Sequence, residues 1–325
     1  MRRLLGLFAL LALSLPSITG AQAAAEGKRV VVLATSNANP YIGAWTSTFT
    51  TFATQAGMKV TNLSANYDAA VQSQQIDDAI AQKYDMIVIC YVNDQAVIPA
   101  LTRAKAGGIP VVLYASPMRK DQEDFWTSYI GTENADLGRL AGEELVQGLA
   151  AEGKKAAKVV AITGLAQQVN VLTRLEAFKA VLAKNPGIDL IDVEDGSWNT
   201  AKTEKITGQL LVRFSGQGGI DGIFDMADNQ ATGSISAAQS AGVPLGVADK
   251  GIVIVGSNCM KDGINHIRSG EQYATATQIP TEEAEFAVKK IAAFFNGGKL
   301  EKYEIIPVYG VTKENVDKFA PGCSY

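Results

Sequence analysis

Histidine occurs once in 325 residues, as His266, and cysteine three times. This scarcity removes the commonest general base and most of the usual transition-metal ligands, and no Cys-x-x-Cys spacing is present. His266, within Gly263-Ile264-Asn265-His266-Ile267-Arg268, reads as a polar residue on a short surface helix. There is no Gly-x-Ser-x-Gly nucleophile elbow and no Walker loop. The run from Gly216 to Gly222 fails as a dinucleotide fingerprint: Asp221 replaces the third glycine, and the run precedes a strand instead of following one. Asp192-Val193-Glu194-Asp195-Gly196 lacks the alternating ligands of a calcium loop and reads as a solvated turn. No metal, no cofactor and no enzymatic activity are expected; Asp225 and Asp228 are the carboxylates on which a rival reading as a secreted enzyme would rest.

Long apolar runs are also missing, with one short exception. After Met1-Arg2-Arg3 an apolar stretch runs from Leu4 to Leu15, followed by small residues ending at Ala21-Gln22-Ala23-Ala24-Ala25. It is too short to span a bilayer, which takes ~20 residues, and has the form of a secretory signal peptide cleaved near residues 23–25. The leucine-rich surroundings of the two arginines favour general export over the twin-arginine route. Removing Arg2 and Arg3 with this segment takes the formal charge from −4 to −6. A mildly acidic chain without basic clusters is a poor partner for nucleic acid.

The roughly 300 residues after Ala25 exceed what one hydrophobic core usually serves, so two domains are expected. Export into an oxidising compartment makes a disulfide possible. Cys90, at the end of Met86-Ile87-Val88-Ile89-Cys90-Tyr91, is expected to pack as a small hydrophobe in or beside a buried strand. Cys259 and Cys323 are the better pair, with free thiols the alternative that spacing leaves open.

Short valine- and isoleucine-rich runs alternate with amphipathic segments, the pattern of βα units feeding a mostly parallel sheet. Strands are predicted at 29–34, 59–63, 86–91, 110–114, 158–162, 188–193, 222–226 and 252–256. Helices are predicted at 44–56, 69–82, 95–106, 136–151, 172–184 and 282–295. In the first, Trp45, Phe49 and Phe52 recur on one face, with Asn39-Pro40 ahead as cap and Gly57 as stop. Near 131–135 the rhythm breaks and a second β/α series starts, with no flexible linker between the two.

Ligands of doubly wound sheets sit outside the carboxyl ends of the strands. Those positions here carry Thr35, Asn39 and Tyr41; Tyr91; Tyr114 and Ser116; then Gln168 and Asn170, Trp198, Asp228 and Asn229, and Asn258. Amides offer both donor and acceptor, and aromatic rings offer flat apolar faces, a mixture that suits a small polyhydroxylated molecule. Any single asparagine there serves equally well as a turn former.

Several ordered motifs resemble the periplasmic ribose-type sugar-binding proteins, the type I solute-binding fold of ABC importers. They are Asn39-Pro40-Tyr41, Gly107 to Val112, Gly131-Thr132-Glu133-Asn134, Arg174 to Phe178, Val255-Gly256-Ser257-Asn258 and Thr277-Gln278-Ile279-Pro280. The resemblance implies an α/β fold of two Rossmann-like lobes with parallel-rich sheets and a three-crossing hinge near Thr132, Gln278 and Pro307. It implies lobes of 26–131 plus 279–307 and 132–278 plus 308–325. Asn134 and Gln278 join the expected ligand set through it, beside Asn39, Tyr41, Tyr91, Tyr114, Ser116, Asn170, Trp198, Asp228 and Asn258.

Departures from the family pattern bear on the ligand. An Asp-Arg pair after the fourth strand is matched by Ala115-Ser116, a gripping arginine by Leu172, an aspartate by Asn258 and an asparagine by Ala227. With charge-assisted bonds lost, the expected ligand is neutral with fewer hydroxyls: a sugar, a deoxy sugar, a short polyol or a furanone-like signal. The resemblance implies a periplasmic monomer that closes on this ligand and presents it to an inner-membrane ABC permease, with a chemoreceptor as a further candidate partner. A regulator of the lactose-repressor type shares the fold, but would carry a helix-turn-helix where this chain has its apolar leader.

Overall fold

The computed structural model describes residues 24–325; the apolar leader read as a signal peptide lies outside the described residues. The first half contains β1 (Arg29–Ala34), α1 (Pro40–Gln55), β2 (Lys59–Ser64), α2 (Ala69–Ala81), β3 (Met86–Ile89), α3 (Asp94–Ala106), β4 (Val111–Leu113) and β5 (Ser128–Thr132). Then come α4 (Asn134–Ala151), β6 (Ala157–Thr163), α5 (Val169–Leu182), β7 (Ile188–Asp195), α6 (Thr200–Phe214), β8 (Gly222–Asp225) and α7 (Asp228–Ser240). The chain finishes with β9 (Val253–Val255), α8 (Lys261–Ser269), β10 (Ala274–Ala276), α9 (Pro280–Phe295), β11 (Tyr303–Ile306), β12 (Gly310–Thr312) and α10 (Val316–Phe319).

Two six-stranded sheets result, ordered β11-β5-β4-β3-β1-β2 and β12-β10-β9-β8-β6-β7. Their topologies correspond, and all pairings are parallel except β10 with β12. The chain passes between sheets after β5, between β10 and β11, and between β11 and β12. Among the described residues no helix is long and apolar enough to cross a membrane.

Strand β1 shows why the sheets are buried on both faces. Val30 and Val32 pack with Trp45 and Phe49 of α1 and Ala287 and Ile291 of α9, whereas Val31 and Leu33 face Ile76 of α2 and Leu101 of α3. A continuous apolar strand is what two covered faces require. Strand β6 repeats the arrangement, with Val159 and Ala161 against Leu145 and Phe178, and Val160 and Ile162 against Leu210 and Ile235.

Helix α1 begins earlier than its apolar periodicity predicts. The Asn39 side chain accepts from the amide of Ile42 at 3.1 Å and Pro40 takes the first turn, so the cap sets the start and Trp45 only the buried face. Strands β5, β10, β11 and β12, absent from the expectation, are three to five residues long, too short to show a period. Helix α6 was hidden because its buried stripe includes Thr203 and Thr207 with Leu210, and α7 because Ile235 is the one large apolar residue on a buried face otherwise made of small and polar residues.

The acidic run 192–196 is corrected from solvated turn to the end of β7. Asp192 and Glu194 pair with Arg213 of α6, and Asp195 accepts from the Ser197 amide at 2.7 Å to shape the bend that follows. His266 does lie on a short helix, but its Nδ1 is engaged by Glu271 at 2.8 Å. Cys259 and Cys323 are disulfide-bonded with their Cα atoms 5.1 Å apart, and Cys90 is buried and free.

Candidate functional site

Both sheets turn their carboxyl ends toward one cleft. In each sheet the strand order reverses beside its first strand, β1 or β6, the place where open α/β sheets receive ligands. A cavity of about 520 Å³, open mouth included, lies there. Thr35, Asn39, Tyr41, Tyr67, Cys90 and Ser116 wall it from the first sheet's side. Asn170, Trp198, Asn229 and Asn258 wall it from the second, and Gln278 stands on the segment that crosses back.

Arg174 organises the far wall. It is 2% exposed, and its Nε donates to Asn134 Oδ1 at 2.9 Å, Nη1 to the Met226 carbonyl at 3.1 Å and Nη2 to Gln278 Oε1 at 2.8 Å. The close approach of α4 and α5 that brings Arg174 to Asn134 depends on Gly138, where a Cβ would lie 2.0 Å from the Arg174 carbonyl oxygen. Burial lowers the guanidinium to about 10, against the opposing pull of Tyr41, Tyr129 and Glu283, so it stays charged at neutral pH. Three of its five N–H groups are thus satisfied by protein.

A guanidinium only donates, and this dictates the amides around it. Gln278 must turn Oε1 to Arg174, and the same oxygen accepts from Asn258 Nδ2 at 2.8 Å. Gln278 Nε2 is then a buried donor without a protein partner, and Asn170 Oδ1 a buried acceptor without one. Leaving such groups unmet costs ~1–3 kcal/mol each, so a ligand bringing one acceptor and one donor gains from both. Among the described residues lining the cavity there is no carboxylate.

Aromatic walls complete it. Trp198 is held by its Nε1 donating to Gln168 Oε1 at 2.8 Å, lies 5.7 Å from the Arg174 guanidinium, and packs on Gly164, where a Cβ would meet the indole at 1.8 Å. Tyr41 donates its hydroxyl to buried Glu283, and burial first, then that neighbouring carboxyl, pushes the phenol well up. Cys90 stands on the wall as a protonated thiol, pushed up to about 12 by burial. Four wall residues that are not glycine adopt left-handed backbone: Tyr67, Ala115, Trp198 and Asn258, with φ of 63°, 61°, 58° and 93°. Such strain persists only where surrounding structure over-determines it, and it collects at functional sites.

Of the expected ligand set, Asn39, Tyr41, Ser116, Asn170, Trp198, Asn258 and Gln278 stand on the cavity wall. Four do not. Tyr114 is fully buried in the first core, stacked on Trp45 at 3.8 Å, because its strand turns it toward α1. Tyr91 lies behind the wall and bonds Ser116 and the Pro117 carbonyl, each at 2.7 Å. Asn134 serves Arg174, and Asp228 binds the Met260 amide, Gln272 and Thr275 behind the Asn258 loop.

The reading of Leu172 as the lost gripping position is corrected: Leu172 is 45% exposed, and the guanidinium enters from Arg174, two residues on. Helix phase decides this, since residues two apart lie on different faces. Tyr67 was also missed; it follows β2 in a turn with no motif to mark it.

Two lobes of corresponding α/β topology, with a polar and aromatic cleft across their strand ends, define a solute-binding protein of type I. The chain belongs to the periplasmic binding protein domain family, which matches residues 30–299. It is 24% identical over 254 residues to the xylitol-binding protein of Mycolicibacterium smegmatis, covering 78% of this chain and 68% of that one. It is 23% identical over 312 residues to the D-apiose import binding protein of Paraburkholderia graminis, covering 95% of both. Among solved structures, a galactofuranose binding protein superposes with a TM-score of 0.84 at 19% identity, over 90% of this chain and 97% of that one.

Proposed function

We propose that this protein is the periplasmic binding component of an ABC importer and captures one small neutral polyhydroxylated molecule, a furanose sugar or a short polyol. The observation that carries the reading is the grouping of Arg174, Gln278 and Asn170 beside Trp198 in a cavity whose described lining holds no carboxylate. Two guanidinium N–H groups and the Gln278 amide donate to ring or hydroxyl oxygens, Asn170 accepts from a hydroxyl, and the indole covers a C–H face. Xylitol, apiose and galactofuranose, named for its relatives, are of this size and chemistry.

One charged grip, Arg174, is present, while Ala115, Ala227 and Asn258 stand where the pattern has more polar groups. A ligand anchored by one cation and several amides fits better than an aldopyranose held through paired carboxylates.

In this reading the first lobe comprises residues 26–131 and 279–307 and the second residues 132–278 and 308–325. Ligand contacts both only when they close, so binding shifts the population to the closed form. The closed monomer then docks on its permease, with a chemoreceptor as a second audience. Export removes the leader near residues 23–25.

The test is a thermal-shift screen of residues 26–325 followed by titration calorimetry. The panel holds pentoses, hexoses, methyl furanosides, deoxy sugars, tetritols to hexitols, furanones and sugar acids. A furanose or polyol at a hundred times its Kd should add about 2.7 kcal/mol of stability. Tight binding confined to aldopyranoses or to sugar acids overturns the ligand class, and binding of a furanone alone would favour a signalling role.

A further inference from the structure

Asn258 and Cys259 are consecutive non-glycine residues with left-handed backbone, φ 93° and 56°. One such residue is uncommon and two in succession are costly, so the loop after β9 must be held from outside. The hold comes in large part from the last residues of the chain. Cys323 is joined to Cys259, Tyr325 donates its hydroxyl to the Asn258 carbonyl at 2.6 Å, and the Lys261 amide donates to the main-chain oxygen of Tyr325 at 3.2 Å. From the other side, Asp228 accepts from the Met260 amide at 2.8 Å, and the Asn258 amide donates to the Ala276 carbonyl at 3.0 Å.

We propose that the C-terminal tail, Pro321 to Tyr325, is a positioning element of the ligand site, fastened by the disulfide so that Tyr325 fixes the peptide of Asn258. The inference rests on the reading of Asn258 as a ligand contact. Its chain of action is short. The tyrosine hydroxyl holds the Asn258 carbonyl, which keeps the residue left-handed; that conformation aims the amide so that Nδ2 reaches Gln278 Oε1, and Gln278 in turn takes its place beside Arg174. Cys259, in the loop after β9, and Cys323, in the tail, share one apolar cluster with Ile279 beside the crossing at Gln278, so the staple also braces the residue next to Gln278. Reduction of that one covalent bond would therefore loosen ligand.

The experiment is a double-mutant cycle with Tyr325→Phe and Asn258→Ala, read by titration of the tightest member of the panel above, xylitol being tried first. Tyr325→Phe should weaken binding about five- to tenfold in the wild-type background, the loss expected of one neutral hydrogen bond. In the Asn258→Ala background it should change binding less than about twofold. Amide exchange in the ligand-free protein should quicken at Asn258, Cys259 and Met260 in Tyr325→Phe and stay unchanged in the first lobe. A Cys259→Ser, Cys323→Ser double variant should reproduce both effects more strongly.

Equal weakening in both backgrounds, or unchanged exchange at those three amides, overturns the positioning role. If wild-type protein binds no member of the panel, the ligand reading fails by itself, and the exchange comparison still decides whether the tail holds the loop.

Discussion

Glu283 sits in the first turn of α9, 1% exposed, accepting from Tyr41 on the cavity wall. Burial pushes its carboxyl up to about 7 from an ordinary 4.5, against the pull of its hydrogen bonds and of Arg174. A folded-state value raised above the unfolded one means that the folded protein holds its proton more tightly. Its stabilising effect is full below about pH 4.5, falls as pH rises through the window to 7, and is gone about one unit above. At 1.36 kcal/mol per unit, a shift of this size is worth about 3 kcal/mol.

With ~2.1 cal/mol/K per residue over ~300 residues, 3 kcal/mol corresponds to about 5 °C in Tm. Asp228, raised by burial to about 7, acts in the same direction and window. Glu271, held low by its hydrogen bond with His266, acts only at lower pH. Calorimetric scans from pH 4.5 to 8.5 should therefore show Tm falling with pH. Glu283→Gln, which keeps an acceptor for Tyr41, should flatten the slope by about 5 °C between the ends. A wild-type Tm that rises across this window, or a Gln variant with an unaltered slope, would refute the reasoning.

Gly164→Ala should drive the Trp198 ring out of the cleft, weakening ligand at least about tenfold and shifting tryptophan emission, since the other two indoles, Trp45 and Trp126, lie buried in the first lobe. Arg174→Met should abolish measurable binding and lower Tm, because it strands the Asn134, Met226 and Gln278 oxygens, whereas Leu172→Ala should change calorimetric affinity less than about twofold. Replacing both Cys259 and Cys323 by serine opens a loop with a sequence separation of 64. Chain entropy sets that cost at about 4 kcal/mol, seen as a Tm about 6 °C lower under oxidising conditions and as no difference from wild type under reduction.

The βα rhythm was legible because inner strands such as β1 and β6 are apolar on both faces, as Val30 to Leu33 and Val159 to Ile162 show. Strand-end positions were legible for the same reason: once β1, β3 and β9 are placed, topology sends the next residues to the cleft. Side-chain direction was not. Tyr91 and Tyr114 follow strands just as Ser116 and Asn258 do, yet they point into the protein while their neighbours Cys90 and Ala115 line the cavity, so one residue separates the two outcomes. Leu172 was read as the gripping position, and only the packing of α5 on α4 through Gly138 shows that Arg174 is the residue that turns inward.

Residue types and local patterns set the bounds: alternating apolar runs marked two β/α series, and the ordered motifs, through their resemblance to ribose-type binding proteins, implied the two-lobe binding fold. Those are local properties, carried by residue type and by periods of two and 3.6. Tertiary structure decided which amide faces which donor, which four wall residues take left-handed backbone, and that the last tyrosine of the chain supports a residue 67 positions earlier. These depend on contacts between segments far apart in sequence, which close only when both sheets are packed, and no local pattern encodes them.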